Sequence, residues 1–321
     1  MRYLTIAGRQ VSVVGLGAWQ FGSKSWGWGT EFDTDEAYAI VNRALELGIT
    51  LFDTAEIYGN GLSESILGQA LGSRRSEAYV ATKLWPSHGL RRQVAATVRR
   101  SLSRLAMDHV ELYQVHWPNP LMPLSWTMAG MRDVREAGLV NEVGVSNFGL
   151  RRWRRADDAL GAPVISNQVS YNLLRRQPED DLIPFAQTND RMVLAYSPLA
   201  QGLLSGRYSS SNLPGGFRRF NSLFTSENIR RAKPVLEALQ QIAHAHRVTP
   251  AQIALAWIVR QPAVAAIPGA KSVWQVEQNA EAADIDLTED ELGGLDNVSR
   301  AFHPVNRLRG WKPLMRRLIA G

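Results

Sequence analysis

The chain contains no cysteine. That single absence excludes disulfides, thiolate metal sites and cysteine nucleophiles together. Long apolar runs are also missing: the most hydrophobic stretch, Ala251 to Val259, is too short to cross a bilayer. Met1 to Val14 shows no cationic leader followed by an apolar segment, so a cytoplasmic protein without membrane attachment is expected. No Pro/Ser-rich linker, low-complexity tract or shift in composition divides the 321 residues, and a single domain over 1–321 is expected. With 45% hydrophobic residues the chain can fill one large core.

Acidic residues are the scarcer charge, 30 against 36 basic ones, giving a net charge of +6 and a pI near 9.8. The arginines come in pairs: Arg91-Arg92, Arg99-Arg100, Arg151-Arg152, Arg154-Arg155 and Arg316-Arg317. The pairs are dispersed, and those after Leu90 and Leu150 fall on amphipathic helices as solvent faces. No nucleic-acid partner is expected from them. A mild positive field favours a phosphorylated ligand.

What is present is a regular alternation of strand-like and helix-like segments. Strand patterns lie at Val13–Gly17, Leu51-Phe52, Glu77–Thr82, His109–His116, Val140–Ser146, Val164–Val169, Met192–Tyr196 and Ala263–Ile267. Between them come helix patterns. Asp35 to Leu47 carries apolar residues at Ala37, Ile40, Val41, Ala44 and Leu45, the spacing of one helix face, with Thr34 as its expected cap. Others are Ser63–Leu71, a stripe from Leu90 to Leu105, Leu124–Ala137, and Ser272–Ala282. Thr249-Pro250-Ala251-Gln252 is a capping box opening a helix that runs to about Arg260. Eight strands alternating with helices imply a parallel α/β protein. Gly15-Leu16-Gly17-Ala18-Trp19-Gln20 lacks the third glycine of G-x-G-x-x-G, which disfavours a doubly wound nucleotide fold. The expected architecture is therefore a (β/α)8 TIM barrel. Tyr3–Ile6 and Gln10–Val13 around Ala7-Gly8-Arg9 would add an N-terminal β-hairpin over its floor.

Four polar residues stand at or just after strand ends: Asp53, Tyr58, Lys83 and His116. In a parallel barrel the carboxyl ends of the strands share one mouth, so separations of 30 and 33 residues collapse to contact distance. A phenol, an amine, a carboxylate and an imidazole gathered there make a proton-delivery device. Asp53 alone could be a helix cap and Tyr58 a core aromatic. A lysine ending a buried strand, however, must find a counter-charge. His244 and His246, two apart on a helix, face different directions and are expected to be surface residues rather than metal ligands.

These residues resemble the aldo-keto reductase family, and in particular its bacterial and channel-subunit-like branch. The resemblance rests on seven segments in order: Gly15–Gln20, Leu51–Gly59, Ala81-Thr82-Lys83, Tyr113–His116, Gly144–Phe148, Tyr196–Leu204 and Ile267–Lys271. It implies NAD(P)H-dependent reduction of aldehydes and ketones to alcohols. Tyr58 is then the general acid that protonates the carbonyl oxygen. Lys83 would lower the phenol's pKa, Asp53 would hold Lys83, and His116 would hydrogen-bond and orient the substrate oxygen.

The resemblance also implies a cofactor site. Trp19, Gln20 and Asp53 belong to it, and Ser146, Asn147 and Gln168 would bind the nicotinamide carboxamide. Tyr196 would stack on the ring. Ser197, Pro198, Leu199, Gly202 and Leu203 would wrap the pyrophosphate through backbone N–H groups, with Arg207 adding charge. Gly269 and Lys271 open a helix that can receive the 2′-phosphate, while Gln275, Gln278 and Asn279 would reach the adenine ribose. NADPH is expected, NADH less so; an arginine common in NADP-selective relatives is replaced here by Gln275.

Trp19, Trp26, Trp28, Trp85 and Trp117 follow strands one, three and four and are expected to rim the pocket, favouring apolar or aromatic carbonyl substrates. The loop Ser205–Ser226 and the tail from Phe302 also shape it. A monomer or weak oligomer is expected. Two other functions are open. One is an NADPH-binding regulatory or sensor protein with negligible turnover. The other is a metal-dependent barrel hydrolase using Asp53 and His116, which would need His-x-His at strand one, where no histidine stands. No metal is expected.

Overall fold

The structure is a computed structural model, described for residues 1–209, 212–215, 218 and 221–305. Arg316-Arg317, most of the tail from Phe302 and part of the loop Ser205–Ser226 lie outside the described residues. The chain opens with an antiparallel hairpin, β1 (Tyr3–Ile6) and β2 (Arg9–Ser12), in the register Tyr3↔Ser12 to Ile6↔Arg9. Its connection is two residues, Ala7 and Gly8, both at positive φ, so Arg9 belongs to the second strand rather than to the turn.

Eight parallel strands follow: β3 (Leu16–Gly17), β4 (Leu51–Asp53), β5 (Tyr79–Leu84), β6 (Val110–Val115), β7 (Val140–Ser146), β8 (Ser166–Ser170), β9 (Met192–Tyr196) and β10 (Val264–Ala266). Each pairs with its neighbour in chain order. The first and last meet as well. Gly15 N donates to Ala266 O at 2.8 Å, Ala266 N to Val13 O at 2.8 Å, and Gly17 N to Pro268 O at 3.0 Å. The expected eight-stranded barrel closes there. A Cβ on Gly17 would lie 2.8 Å from the Ile267 carbonyl oxygen. The Gly-Leu-Gly segment thus serves barrel closure, which explains why it lacks the remainder of a nucleotide-binding loop.

Ten α-helices lie among the described residues. α1 (Thr34–Glu46), α2 (Leu62–Leu71), α3 (Arg91–Leu105), α4 (Leu124–Glu136), α5 (Leu150–Leu160), α6 (Leu182–Thr188) and α8 (Pro250–Val259) connect the strands, with α7 (Ser226–His246) preceding α8. α9 (Val273–Glu281) and α10 (Glu289–Arg300) follow the last strand. The cap of α1 is Asp33, whose carboxylate accepts from Asp35 N and Glu36 N, and not Thr34. A carboxylate one residue earlier reaches the free N–H groups that the threonine, already helical, cannot. The capping box at Thr249 and Gln252 forms as the sequence suggests. A second one, Thr288 with Glu291, starts α10.

Two packed cores result. The larger lies between strands and helices; the smaller fills the barrel with Leu51, Tyr79, Leu112, Met192, Leu194 and Ala265. Ile6 and Val11 of the hairpin belong to the inner core, so the hairpin plugs the barrel floor. Burying such a side chain contributes roughly 1.5–3 kcal/mol. With the floor closed by apolar side chains, polar chemistry is left to the opposite mouth.

One close approach matters for that mouth. A Cβ on Gly68 of α2 would sit 2.2 Å from the Leu105 carbonyl at the end of α3. Their proximity lets Arg104 Nε donate to Glu64 Oε2 at 2.6 Å, while Glu64 Oε1 accepts from Thr82 Oγ1 at 2.6 Å, beside Lys83 on β5. Gly68→Ala should cost about 1–3 kcal/mol by overpacking. Urea unfolding is the check; an unchanged midpoint would show that the helices part without strain.

Candidate active site

β4 ends on Asp53, and the chain turns through Thr54 to Tyr58. Lys83 stands on β5 and His116 just past β6. Parallel pairing sets Asp53 beside Ala81, and Lys83 beside Gln114. The four side chains are thereby gathered, with Asp53 at 3%, Tyr58 at 8%, Lys83 at 0% and His116 at 6% exposure.

Lys83 Nζ donates to Asp53 Oδ1 at 2.6 Å, to the Thr54 carbonyl at 2.8 Å and to Tyr58 Oη at 3.2 Å. Three acceptors match the three N–H donors of an ammonium, and no donor is wasted. Asp53 Oδ2 accepts from Gln168 Nε2 at 2.6 Å. Burial pushes the Asp53 carboxyl up and the Lys83 amine down, each opposed by the charge of the other. Thr54 is held in turn: its Oγ1 pairs with Ser63 Oγ at 2.8 Å, and Ser63 donates to the Ala18 carbonyl at 2.8 Å.

Tyr58 accepts from Lys83 and keeps its own proton to donate. Its acidity differs from the expectation. Burial, with the Asp53 carboxylate adding to it, holds the hydroxyl well above its ordinary value, so the neighbouring Lys83 does not bring it below that value here. The Lys83 charge is largely committed to Asp53 at 2.6 Å, nearer than the phenol at 3.2 Å. His116 meets Tyr58 edge-on, with ring centroids 5.7 Å apart. Burial, and secondarily the charge of Lys83, depress its imidazole well below the usual range. Its Nδ1 is buried without a hydrogen-bond partner. A neutral imidazole and a protonated phenol therefore face the same mouth.

Aromatic rings continue from the tetrad. Trp19 packs on Tyr58 at 5.0 Å and on Trp26 at 6.3 Å, while Trp85 meets His116 at 5.3 Å. Trp28 instead packs on Phe21 and Phe32 within its own loop. Trp117 lines a separate cavity with Pro86, Met122 and Leu124. Glu56 anchors the Trp85 segment by accepting from Trp85 N at 2.6 Å and pairing with His88 at 3.1 Å, a contact that sequence reasoning missed.

Round the mouth, Ser146 donates to the Gln168 carbonyl at 2.9 Å. Asn147 donates to the His116 carbonyl at 3.2 Å, and the Tyr196 hydroxyl donates to Asn147 Oδ1 at 3.0 Å. Ser197, Ala200, Gln201 and Gly202 all take positive φ, curling the backbone after β9 around Pro198, Leu199 and Leu203. Past β10, Gln20 donates to the Ala270 carbonyl at 2.8 Å, next to Gly269. Ser272 caps α9, and Gln275 accepts from Lys271 N at 2.8 Å. Gln278 donates to Glu281 at 3.0 Å and Asn279 to the Gly269 carbonyl at 3.5 Å. Lys271 Nζ is paired with Glu31 Oε2 at 2.6 Å, and Arg207, in the loop after β9, is exposed.

The family model described as Aldo/keto reductase family matches residues 13–300. The chain belongs to the aldo/keto reductase family. It is 49% identical over 321 residues to an uncharacterized oxidoreductase of Mycobacterium tuberculosis, covering 100% of this chain and 99% of the relative. It is 38% identical to the chloroplastic pyridoxal reductase of Arabidopsis thaliana, covering 90% and 84%. Among solved structures, an aldo-keto reductase from Klebsiella pneumoniae in complex with NADPH superposes with a TM-score of 0.75 at 30% identity, covering 95% of this chain and 96% of that one. In this aldo-keto reductase Asp53 and Lys83 stand on β4 and β5, while Tyr58 and His116 follow β4 and β6. His244 and His246 sit on α7, away from this mouth; His246 pairs with Glu291 at 2.8 Å. No helix among the described residues is long and apolar enough to cross a membrane.

Proposed function

We propose that this aldo-keto reductase is an NADPH-dependent oxidoreductase that reduces aldehydes and ketones to alcohols, with Tyr58 as general acid. The observation that carries the reading is the Tyr58 hydroxyl, which accepts from Lys83 at 3.2 Å, keeps its proton, and belongs to a ring met edge-on by the buried His116 imidazole. A carbonyl oxygen there takes one hydrogen bond from Tyr58 and is oriented by His116, and the proton passes from Tyr58 Oη as negative charge develops on that oxygen. Lys83 stabilises the phenolate that remains, and Asp53 keeps Lys83 in place.

The donors around the mouth suit NADPH. An aromatic face at Tyr196, the amides of Asn147 and Gln168, a curled backbone after β9, and a lysine just before α9 lie on or past β7 to β10. They match, in order, a nicotinamide ring, its carboxamide, a pyrophosphate and a 2′-phosphate. When bound, the cofactor supplies the hydride; the protein supplies placement and the proton. The M. tuberculosis relative's description as an oxidoreductase and the NADPH of the Klebsiella structure support the reading. Trp19, Trp26 and Trp85 beside the tetrad favour apolar or aromatic carbonyl substrates, and the Arabidopsis relative's pyridoxal is an aromatic aldehyde.

The test is carbonyl-dependent NADPH oxidation across a panel of aromatic and aliphatic aldehydes and ketones. Tight NADPH binding with no turnover of any of them would instead support a regulatory NADPH-binding protein. The pH profile provides a second check. His116 is held well below 6.5 and Tyr58 well above 10.0, so both keep their working protonation states between those values. Neither group should therefore put a limb on kcat/KM for reduction between about pH 6.5 and 10, where an ordinary imidazole or phenol would. An acid limb near 6.5 that vanishes in a His116 variant would contradict this assignment.

A further inference from the structure

Glu31 and Lys271 are 240 positions apart, yet the Lys271 ammonium donates to the Glu31 carboxylate at 2.6 Å. The pair spans the loop between β3 and α1 and the loop between β10 and α9, two walls of one mouth. The position of Glu31 is built, not incidental. Its N–H donates to the Gly27 carbonyl at 2.7 Å, and the next residue, Phe32, is buried against Trp28 and Phe21. Gly27 leaves room for it: a Cβ there would lie 2.7 Å from the Glu31 carboxyl carbon. Lys271 is the more buried partner, 20% exposed against 59% for Glu31, and its ammonium also lies 5.9 Å from the Phe32 ring centroid.

We propose that Glu31 is a specificity-determining residue: it holds the Lys271 ammonium as an internal anion in the place of the NADPH 2′-phosphate, and releases it when that phosphate binds. The inference rests on the reading of Lys271 as the 2′-phosphate cation. A phosphate arriving at Lys271 meets a like charge already seated on the same nitrogen, whereas the 2′-hydroxyl of NADH meets none. Glu31 thus narrows a preference for NADPH that Lys271 alone would make wider. The Lys271 hydrogen bond holds the Glu31 carboxyl below its usual range, and the charges of Arg207 and Arg218 add to that, so the anion is present throughout neutral pH.

The experiment titrates intrinsic tryptophan fluorescence with NADPH and with NADH in the wild type, Glu31→Gln, Lys271→Ala and the double variant. Glu31→Gln should tighten NADPH by about 3- to 10-fold and leave NADH within about twofold, the scale of a partly exposed ion pair together with a removed like charge. In the Lys271→Ala background the Glu31 substitution should have no further effect, because Glu31 acts through that lysine. NADPH binding that is unchanged or weaker in Glu31→Gln overturns the proposal and makes Glu31 a bystander or a clasp that retains the cofactor. If Lys271→Ala alone leaves NADPH affinity intact, the phosphate-cation reading fails first, and the single variant shows it separately. Far-ultraviolet circular dichroism verifies that each variant is folded.

Discussion

Tyr58→Phe should lower kcat/KM for carbonyl reduction by about 100- to 10,000-fold, the range for removing a positioned general acid, while NADPH affinity stays near that of the wild type. The substitution keeps the ring that Trp19 and His116 pack against and removes only the hydroxyl. It also leaves one N–H of Lys83 without its acceptor, at a cost of about 1–3 kcal/mol. Stability and activity are therefore measured together: stopped turnover in a variant that is still folded under the assay conditions, its urea midpoint lowered by no more than that cost implies, identifies the proton donor. Full-rate NADPH oxidation by Tyr58→Phe would remove Tyr58 from the mechanism.

Asp53→Ala should be the most damaging single change to stability, at about 3–5 kcal/mol, because it strands a fully buried ammonium. The double variant Asp53→Leu/Lys83→Met should regain most of that loss while remaining inactive, since an apolar pair of similar volume needs no counter-charge. The pH dependence gives the sign. Burial already pushes the Lys83 amine down, and without Asp53 the folded protein releases that proton while the unfolded chain keeps it up to about pH 10.4. The unfolded state then binds more protons, so the stability of Asp53→Ala rises with pH through the neutral and alkaline range. Urea unfolding at several pH values tests this, and a pH-independent loss would mean that water reaches Lys83 in the variant.

The rest of the buried network around the site makes the same point about burial. Glu64 is fully buried between Arg104 and Thr82, and Asp53 between Lys83 and Gln168. Each charge is tolerated because both of its oxygens have donors. Lys83 is thus held by Asp53 directly, with Glu64 behind the Thr82 next to it, which keeps its ammonium from drifting away from the phenol.

The alternation of apolar strands and amphipathic helices was enough to specify a parallel barrel, and residues ending strands had to converge on its mouth. Asp53, Tyr58, Lys83 and His116 were legible for that reason: they break apolar runs at positions where an isolated polar group is costly. The Thr249 box was readable because capping is a contact between residues three apart; Thr288-Glu289-Asp290-Glu291 carried the same signal for α10. The Asp33 cap differed by one residue because Asp and Thr both suit the role, and only the backbone at the turn distinguishes them.

Pairings between distant loops followed a different rule. The bond from Gln168 to Asp53, the raised acidity threshold of Tyr58 and the Glu31–Lys271 pair depend on distances of a few ångströms between segments more than 100 positions apart or on complete exclusion of water. Local pattern encodes periodicity and end signals, and so it determined the elements, their order and which residues reach the mouth. Which donor meets which acceptor, and which proton stays on, was decided only by closure of the barrel, because hydrogen bonds and desolvation act over ranges that chain order does not record.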